Sequence, residues 1–182
     1  MDLITRDATP ADWPAVVAIY NQSIPAGTAT ADTVPLAGPE SVPWLADVDP
    51  ARRPLWVGVV AGEVVGWCRL KSFYAGRPAY AATAEVSLYV ATAWHRRGVG
   101  EALKRHAIAQ CPRLGVTTLV SFHFDHNRAT ADLNAKLGFT PAGHLERIAV
   151  VNGREHGLVI SLLRVTPDAT AGPDPAPHED AP

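Results

Sequence analysis

The stretch that most constrains this chain lies between residues 86 and 108. Val86-Ser87-Leu88-Tyr89-Val90 reads as a strand, His95-Arg96-Arg97-Gly98-Val99-Gly100 as a basic glycine turn, and Glu101-Ala102-Leu103-Lys104-Arg105-His106-Ala107-Ile108 as the helix that follows. A strand that enters a helix through such a turn collects unpaired backbone N–H groups and the positive end of the helix dipole at one point. Glycine has no Cβ, so an anion can approach the backbone closely. The turn therefore predicts a seat for a phosphorylated small molecule. It is not a Walker loop, which needs Gly-Lys-Ser/Thr. Nor is it a dinucleotide fingerprint, because Leu103 stands where the third glycine belongs.

The remaining sequence predicts one domain around that turn. A chain of 182 residues, 47% apolar, can bury a sizeable core. A net charge of −2 supplies no field for nucleic acid or an anionic membrane. Cys68 and Cys111 make no disulfide framework. No apolar run reaches the roughly 18 residues of a membrane helix, and residues 1–6 lack a signal-peptide pattern. A cytoplasmic protein with no nucleic-acid and no membrane partner is expected. Strands are predicted at 3–8, 55–60, 64–70, 83–90, 116–124, 139–151 and 156–165, the last two joined by an Asn152-Gly153 turn. Helices are predicted after Thr9-Pro10-Ala11-Asp12, after Gly100, and over 128–137 closed by Gly138. Residues 21–54 carry Pro25, Pro35, Pro39, Pro43, Pro50 and Pro54 and read as loop with one short helix near 40–46. Residues 166–182, with five prolines, read as a disordered tail. Alternating strands and helices predict a mixed α/β sheet with helices packed on it.

Several motifs, in order and at matching spacing, resemble one superfamily. The segment from His95 to Gly100 resembles the acetyl-CoA pyrophosphate loop of the GNAT acetyltransferases, usually Gln/Arg-x-x-Gly-x-Gly/Ala, with His95 departing at its first position. Asn127 opens a helix that ends Ala135-Lys136-Leu137-Gly138-Phe139, similar to the GNAT Leu-Gly-Phe turn, and residues 4–12 with Ala18-Ile19-Tyr20-Asn21 are also GNAT-like. Arg77-Pro78-Ala79-Tyr80, Thr83-Ala84-Glu85 and Tyr89-Val90 are similar to the phosphinothricin and methionine sulfoximine N-acetyltransferases. The resemblance covers residues 3–165. It implies an α/β (α+β) fold, a mixed and mostly antiparallel central sheet flanked by helices, in a GNAT-like domain over residues 1–165. It also implies acetyl-CoA as co-substrate, no metal, direct transfer in a ternary complex to a primary amine of a small molecule such as an amino acid or analogue, and a homodimer.

The resemblance assigns residues as well. Glu85 would take the proton from an amine that is charged at neutral pH. Strand alternation puts Glu85 on one face with Ser87 and Tyr89, and Val86, Leu88 and Val90 on the other. The backbone of Leu88, Tyr89 and Val90 would pair with the pantetheine arm, and Asn127 would bond the CoA arm. The amides of Arg96, Arg97, Gly98, Val99, Gly100 and Glu101 would hold the pyrophosphate, with charge-assisted contacts from the two arginines. Thr28, Phe73, Arg77 and Tyr80 are the candidate acceptor-pocket residues, Arg77 as a partner for an acceptor carboxylate. Asn134 stands where the family usually carries the tyrosine that protonates the departing thiolate. Tyr89, a water, or unassisted departure of a thiol with a pKa near ~8.5 are the alternatives. Ala31, Ala82, Glu155 and Gly157 differ from the branch's usual residues, which predicts a reshaped acceptor pocket. His123, Asp125 and His126 show no complete ligand spacing, so no metal is expected. Two other functions fit the same fold: an acyl-CoA-binding or sensing domain with weak catalysis, and a peptide or protein N-acetyltransferase.

Overall fold

The computed structural model describes residues 2–165, so the expected tail at 166–182 lies outside the described residues. The elements are β1 (Ile4–Asp7), α1 (Trp13–Asn21), β2 (Leu55–Val60), β3 (Glu63–Ser72), β4 (Thr83–Val90), α2 (Val99–Gln110), β5 (Thr118–Phe124), α3 (Arg128–Lys136), β6 (Thr140–Val151) and β7 (Arg154–Arg164). The strands form one seven-stranded sheet in the order β1-β2-β3-β4-β5-β7-β6. All neighbours are antiparallel except β4 and β5, which run parallel because α2 carries the chain across between them. This is the expected mixed, mostly antiparallel sheet. Among the described residues no helix is long and apolar enough to cross a membrane.

Each face of the sheet has its own core. Leu103 and Ala107 of α2 pack on Leu70, Val86 and Leu119, while Val16, Val17, Ile19 and Tyr20 of α1 pack on Val57 and Trp67. The entry to α1 follows the predicted cap. Asp12 Oδ2 accepts the Thr9 N–H at 2.8 Å, and Arg6 clamps the same carboxylate with bonds of 2.7 and 2.8 Å. The short helix expected near 40–46 is instead two 3-10 turns, Pro39–Ser41 and Pro43–Leu45. Pro43 lacks an N–H, so no α-helical ladder runs through it.

The feature that positions the site is a fork. β4 and β5 pair only at Thr83–Thr118, Ala84–Leu119 and Glu85–Val120, while β5 stays paired with β7 as far as Phe124–Leu158. From Val86 onward the β5-facing edge of β4 has no strand partner. A wedge opens there, with backbone groups free along one side.

Candidate active site

The wedge is a slot walled by Val86, Leu88 and Tyr89 of β4 and by Phe122 and His123 of β5, with Lys104 of α2 and Asn127 at the start of α3 completing it. On the α1 side of the sheet lies a cavity of about 850 Å³. Slot and cavity share Ala29, Ser87, Tyr89, Phe122 and His123, so they meet in the middle of β4. Glu85 lies on the cavity wall with Ser87 and Tyr89, as the alternation requires. Its Oε1 is 2.9 Å from Lys71 Nζ. Lys71 is the residue directly opposite Glu85 on β3, one position beyond the predicted end of that strand.

Three successive carbonyls tie a loop over this junction. Gly27 O accepts from His126 Nε2 at 3.1 Å, Thr28 O from Asn127 Nδ2 at 2.9 Å, and Ala29 O from the Tyr89 hydroxyl at 3.1 Å. Asn127 also caps α3, its Oδ1 accepting the Thr130 N–H at 3.0 Å. Its amide is thus engaged by the protein on both sides, and its place in the slot is as a wall. Burial pushes the Tyr89 hydroxyl well above the ordinary tyrosine range.

The turn expected to seat a pyrophosphate has the geometry a helix start provides. The first helical bond of α2 runs from Ala102 N–H to Gly98 O at 3.0 Å, which leaves the N–H groups of Val99, Gly100 and Glu101 without helical acceptors. Gly98 has φ 85°, and a Cβ built on it would meet nothing within 4 Å. Gly100 is expected in the cradle, and a Cβ there would stand 3.3 Å from Leu88 Cδ2 and 3.5 Å from Val90 Cγ2. It is small so that α2 can lie close on β4. His95 Nε2 donates to Val90 O at 2.9 Å, which ties the turn to the end of β4. Arg96 is exposed, and Arg97 places its guanidinium 5.2 Å over the Trp94 ring. The Glu101 side chain is held by Lys136 at 2.6 Å and Arg105 at 3.0 Å, which keep its carboxyl below the ordinary range. Those two cations offset the negative charge that Glu101 brings to the seat.

On the acceptor side the structure moves the expectation along the chain. Thr28, Phe73, Arg77 and Tyr80 are not among the residues that line the cavity; Ala29, Thr30, Ser72 and Gly76 beside them are. Tyr74 and Ala75 take left-handed φ values of 45° and 58°. That turn gathers Phe73, Tyr74 and Tyr80 into an aromatic cluster with centroids 5.4–6.2 Å apart, and Arg77 stacks 5.7 Å over Tyr74. Ala31 does line the cavity, in keeping with a reshaped pocket. Arg53, Arg69 and Lys71 are the cations on the wall, facing Asp32, Asp47 and Glu85; Arg69 of β3 is 7% exposed and 4.8 Å over the Trp44 ring, its Nε without a hydrogen-bond partner. A charged residue on the face shared by Trp67 and Lys71 was the signal for it in the sequence.

Asn134 is 2% exposed and accepts a hydrogen bond from Lys104 Nζ, while its Nδ2 donates to Ser121 Oγ at 3.2 Å. At the outer end of β5, Asp125 and His126 lie beside His156, their ligating atoms within 4.8 Å of one another, a neighbour that the sequence spacing did not reveal. Asp125 Oδ2 accepts the Gly157 N–H at 3.0 Å. Glycine at 157 is what admits that carboxylate, since a Cβ there would stand 2.7 Å from it.

The acetyltransferase (GNAT) family model matches residues 13–139. YwnH of Bacillus subtilis (strain 168), which carries a phosphinothricin acetyltransferase name, is 39% identical over 150 residues, covering 82% of this chain and 91% of its own. The L-methionine sulfoximine/L-methionine sulfone acetyltransferase of Pseudomonas aeruginosa is 28% identical, covering 94% of this chain and 99% of its own. Among solved structures, an acetyltransferase from Salmonella typhimurium with its cofactor acetyl-CoA superposes with a TM-score of 0.84 at 25% identity, covering 96% of this chain and 99% of its own.

Proposed function

The chain belongs to the GNAT acetyltransferase family, and from that premise we propose that Glu85 is the base that prepares the amine of a small, anionic, amino-acid-type acceptor. The overall reaction is acetyl transfer from acetyl-CoA to the amine of a small molecule. The observation that carries the assignment of Glu85 is the junction itself. The slot and the cavity meet two residues from a carboxylate on the cavity wall. The open edge of β4 at Leu88 and Val90 offers backbone groups to an extended arm, and the free amides of Val99, Gly100 and Glu101 offer donors to a pyrophosphate. The Val90 carbonyl already accepts from His95, so pairing there falls to its N–H.

Arg69 supports an anionic acceptor. A guanidinium that is buried and has an unpartnered Nε gains most from an anion delivered into the cavity. The relatives named for L-methionine sulfoximine and L-methionine sulfone act on amino-acid derivatives. Homodimerisation belongs to the same proposal and is supported by Leu145, Ile148 and Val150, exposed on the edge strand β6. A cytoplasmic location completes it.

The test is CoA thiol release with matched acceptors, each as free acid and as carboxamide. Arg69→Met should raise KM for the acids ~10–100-fold, the worth of one buried charge-assisted contact, and leave the carboxamides within threefold. Equal losses for both would remove Arg69 as the anion partner. Faster acetylation of peptides than of free amines would move the acceptor to a polypeptide. No release with any amine, despite acetyl-CoA binding, would make the chain a binding domain.

A further inference from the structure

Lys104 is a cation in the wrong place for a merely structural residue. On α2 it shares the buried stripe with Val99, Leu103 and Ala107 and is itself only 2% exposed. An ammonium taken out of water costs several kcal/mol unless a counter-charge meets it. Its contacts are neutral: Asn134 Oδ1, Ser121 Oγ at 3.4 Å, and the Phe139 ring with its centroid 4.6 Å from Nζ. An apolar residue at 104 would extend the α2 core without that cost. The side chain also lines the slot, together with Leu88, His123 and Asn127.

We propose that Lys104, held by Asn134 and Ser121, is the proton donor to the departing CoA thiolate. The proposal rests on the acetyl transfer assigned above and fills the role that Asn134 cannot perform itself. The amine nitrogen bonds to the thioester carbonyl carbon. The C–S bond breaks, its electron pair stays on sulfur, and sulfur takes a proton from Lys104 Nζ. The substrate ammonium gives up two protons, one to Glu85 and one as the amide forms. Sulfur gains one, Lys104 regains its own from water, and one proton is released overall. Asn134 is then a positioning residue: its Oδ1 anchors the ammonium while its Nδ2 is fixed on Ser121.

The proton affinities match. Burial pulls the Lys104 ammonium down to about 8, beside a thiol near ~8.5, so transfer between them is close to balanced. Tyr89, also at the junction, has its hydroxyl pushed the opposite way and donating to Ala29 O. The titratable groups that face Lys104 are few. From β3 comes Cys68, whose buried thiol is pushed up to about 12 and is neutral at working pH. From β5 comes His123, which lines the same slot, its Nδ1 donating to Phe124 O at 2.9 Å. β4 turns Glu85 to the cavity, and α3 presents only Asn134.

Single-turnover rates at saturating acetyl-CoA and acceptor, measured from pH 6.5 to 9.5, test the assignment. The wild-type rate should fall above about pH 8, as Lys104 loses its proton. Lys104→Leu and Lys104→Arg should each lower the rate ~10–100-fold at pH 7.5, abolish that alkaline fall, and leave KM for acetyl-CoA within threefold. A wild-type rate that stays level to pH 9.5 would overturn the proposal whatever the variants do. So would a Lys104→Arg rate equal to wild type, which would show that charge alone suffices, or a Lys104→Leu enzyme with the wild-type rate and profile. If Lys104→Leu does not fold, the wild-type profile and Lys104→Arg decide. A wild-type protein inactive toward every amine would instead defeat the acetyl-transfer reading itself.

Discussion

Replacing Glu85 by Gln keeps the shape of the side chain and removes the carboxylate proposed as the base. The structural cost is small: Lys71 loses an ion pair at 2.9 Å, but its side chain is 45% exposed, and a pair so open to solvent contributes at most ~1 kcal/mol. The kinetic cost depends on the acceptor. An aliphatic amine titrating near ~10.4 is neutral in about 1 molecule in 2,500 at pH 7, whereas one titrating near ~8 is neutral in about 1 in 10. If Glu85 supplies the deprotonation, Glu85→Gln should lower kcat/KM at pH 7 by ~10²–10³-fold for the more basic amine and by ~10-fold or less for the other. The variant's rate should then rise ~10-fold per pH unit up to about pH 8, and its ratio to the wild-type rate should keep rising toward the amine's own pKa. Continuous thiol detection from pH 6 to 9.5, with two acceptors of different basicity, measures this directly. A deficit that is constant across pH, or equal for both amines, would refute the role of Glu85 as base. Wild-type activity in the variant would refute it outright.

Two further outcomes follow from geometry outside the cavity. Gly98→Ala should cost ~1 kcal/mol of stability, because φ 85° strains any residue with a Cβ. It should also weaken acetyl-CoA binding ~10-fold or more by isothermal titration, since the new methyl enters the open space beside the free amides; an unchanged Kd would place the pyrophosphate elsewhere. Asp12→Asn should lower Tm by about 4 °C near pH 7, from ~1–2 kcal/mol after allowing for an Arg6 that is 43% exposed. Arg6 and Thr9 hold the Asp12 carboxyl at about 2, below its ordinary 3.8. Its contribution is therefore complete above about 3.8 and lost as pH falls through about 2, so scans toward acid should bring the two melting curves together.

The strand, turn and helix from Val86 to Gln110 were legible because each has a strong local cause: alternation, a glycine with positive φ, and a periodic apolar stripe. The same alternation placed Glu85, Ser87 and Tyr89 on one face, where the cavity lies. The misses have equally local causes. Reading β3 as ending at Leu70 hid Lys71, although one more residue of strand puts it directly across from Glu85. Arg69 and Lys104 each interrupt an apolar pattern, one in a strand and one on a helix face. The acceptor loops carry no period, and the left-handed turn at Tyr74 and Ala75 decides which side chains face the cavity. His156 beside His126 depends on the β5–β7 register, which no short motif encodes.

The fork between β4 and β5 accounts for why the slot and the cavity, the proposed donor and acceptor sites, converge beside this particular glutamate. Pairing ends at Glu85–Val120, so Glu85 is the last residue of β4 whose position is fixed by strands on both sides. One residue further on, the backbone edge is free. A base must be held rigidly and an extended arm needs an unpaired edge, and the transition between those conditions falls at this single point in the strand. Ser87 and Tyr89 then continue the cavity face while Leu88 and Val90 turn toward α2, with Gly100 small enough to let that helix approach. A slip of one residue in β4 would exchange the two faces and bury Glu85 against α2. The register of this one strand therefore sets where the base, the arm and the α2 core with Lys104 stand relative to one another.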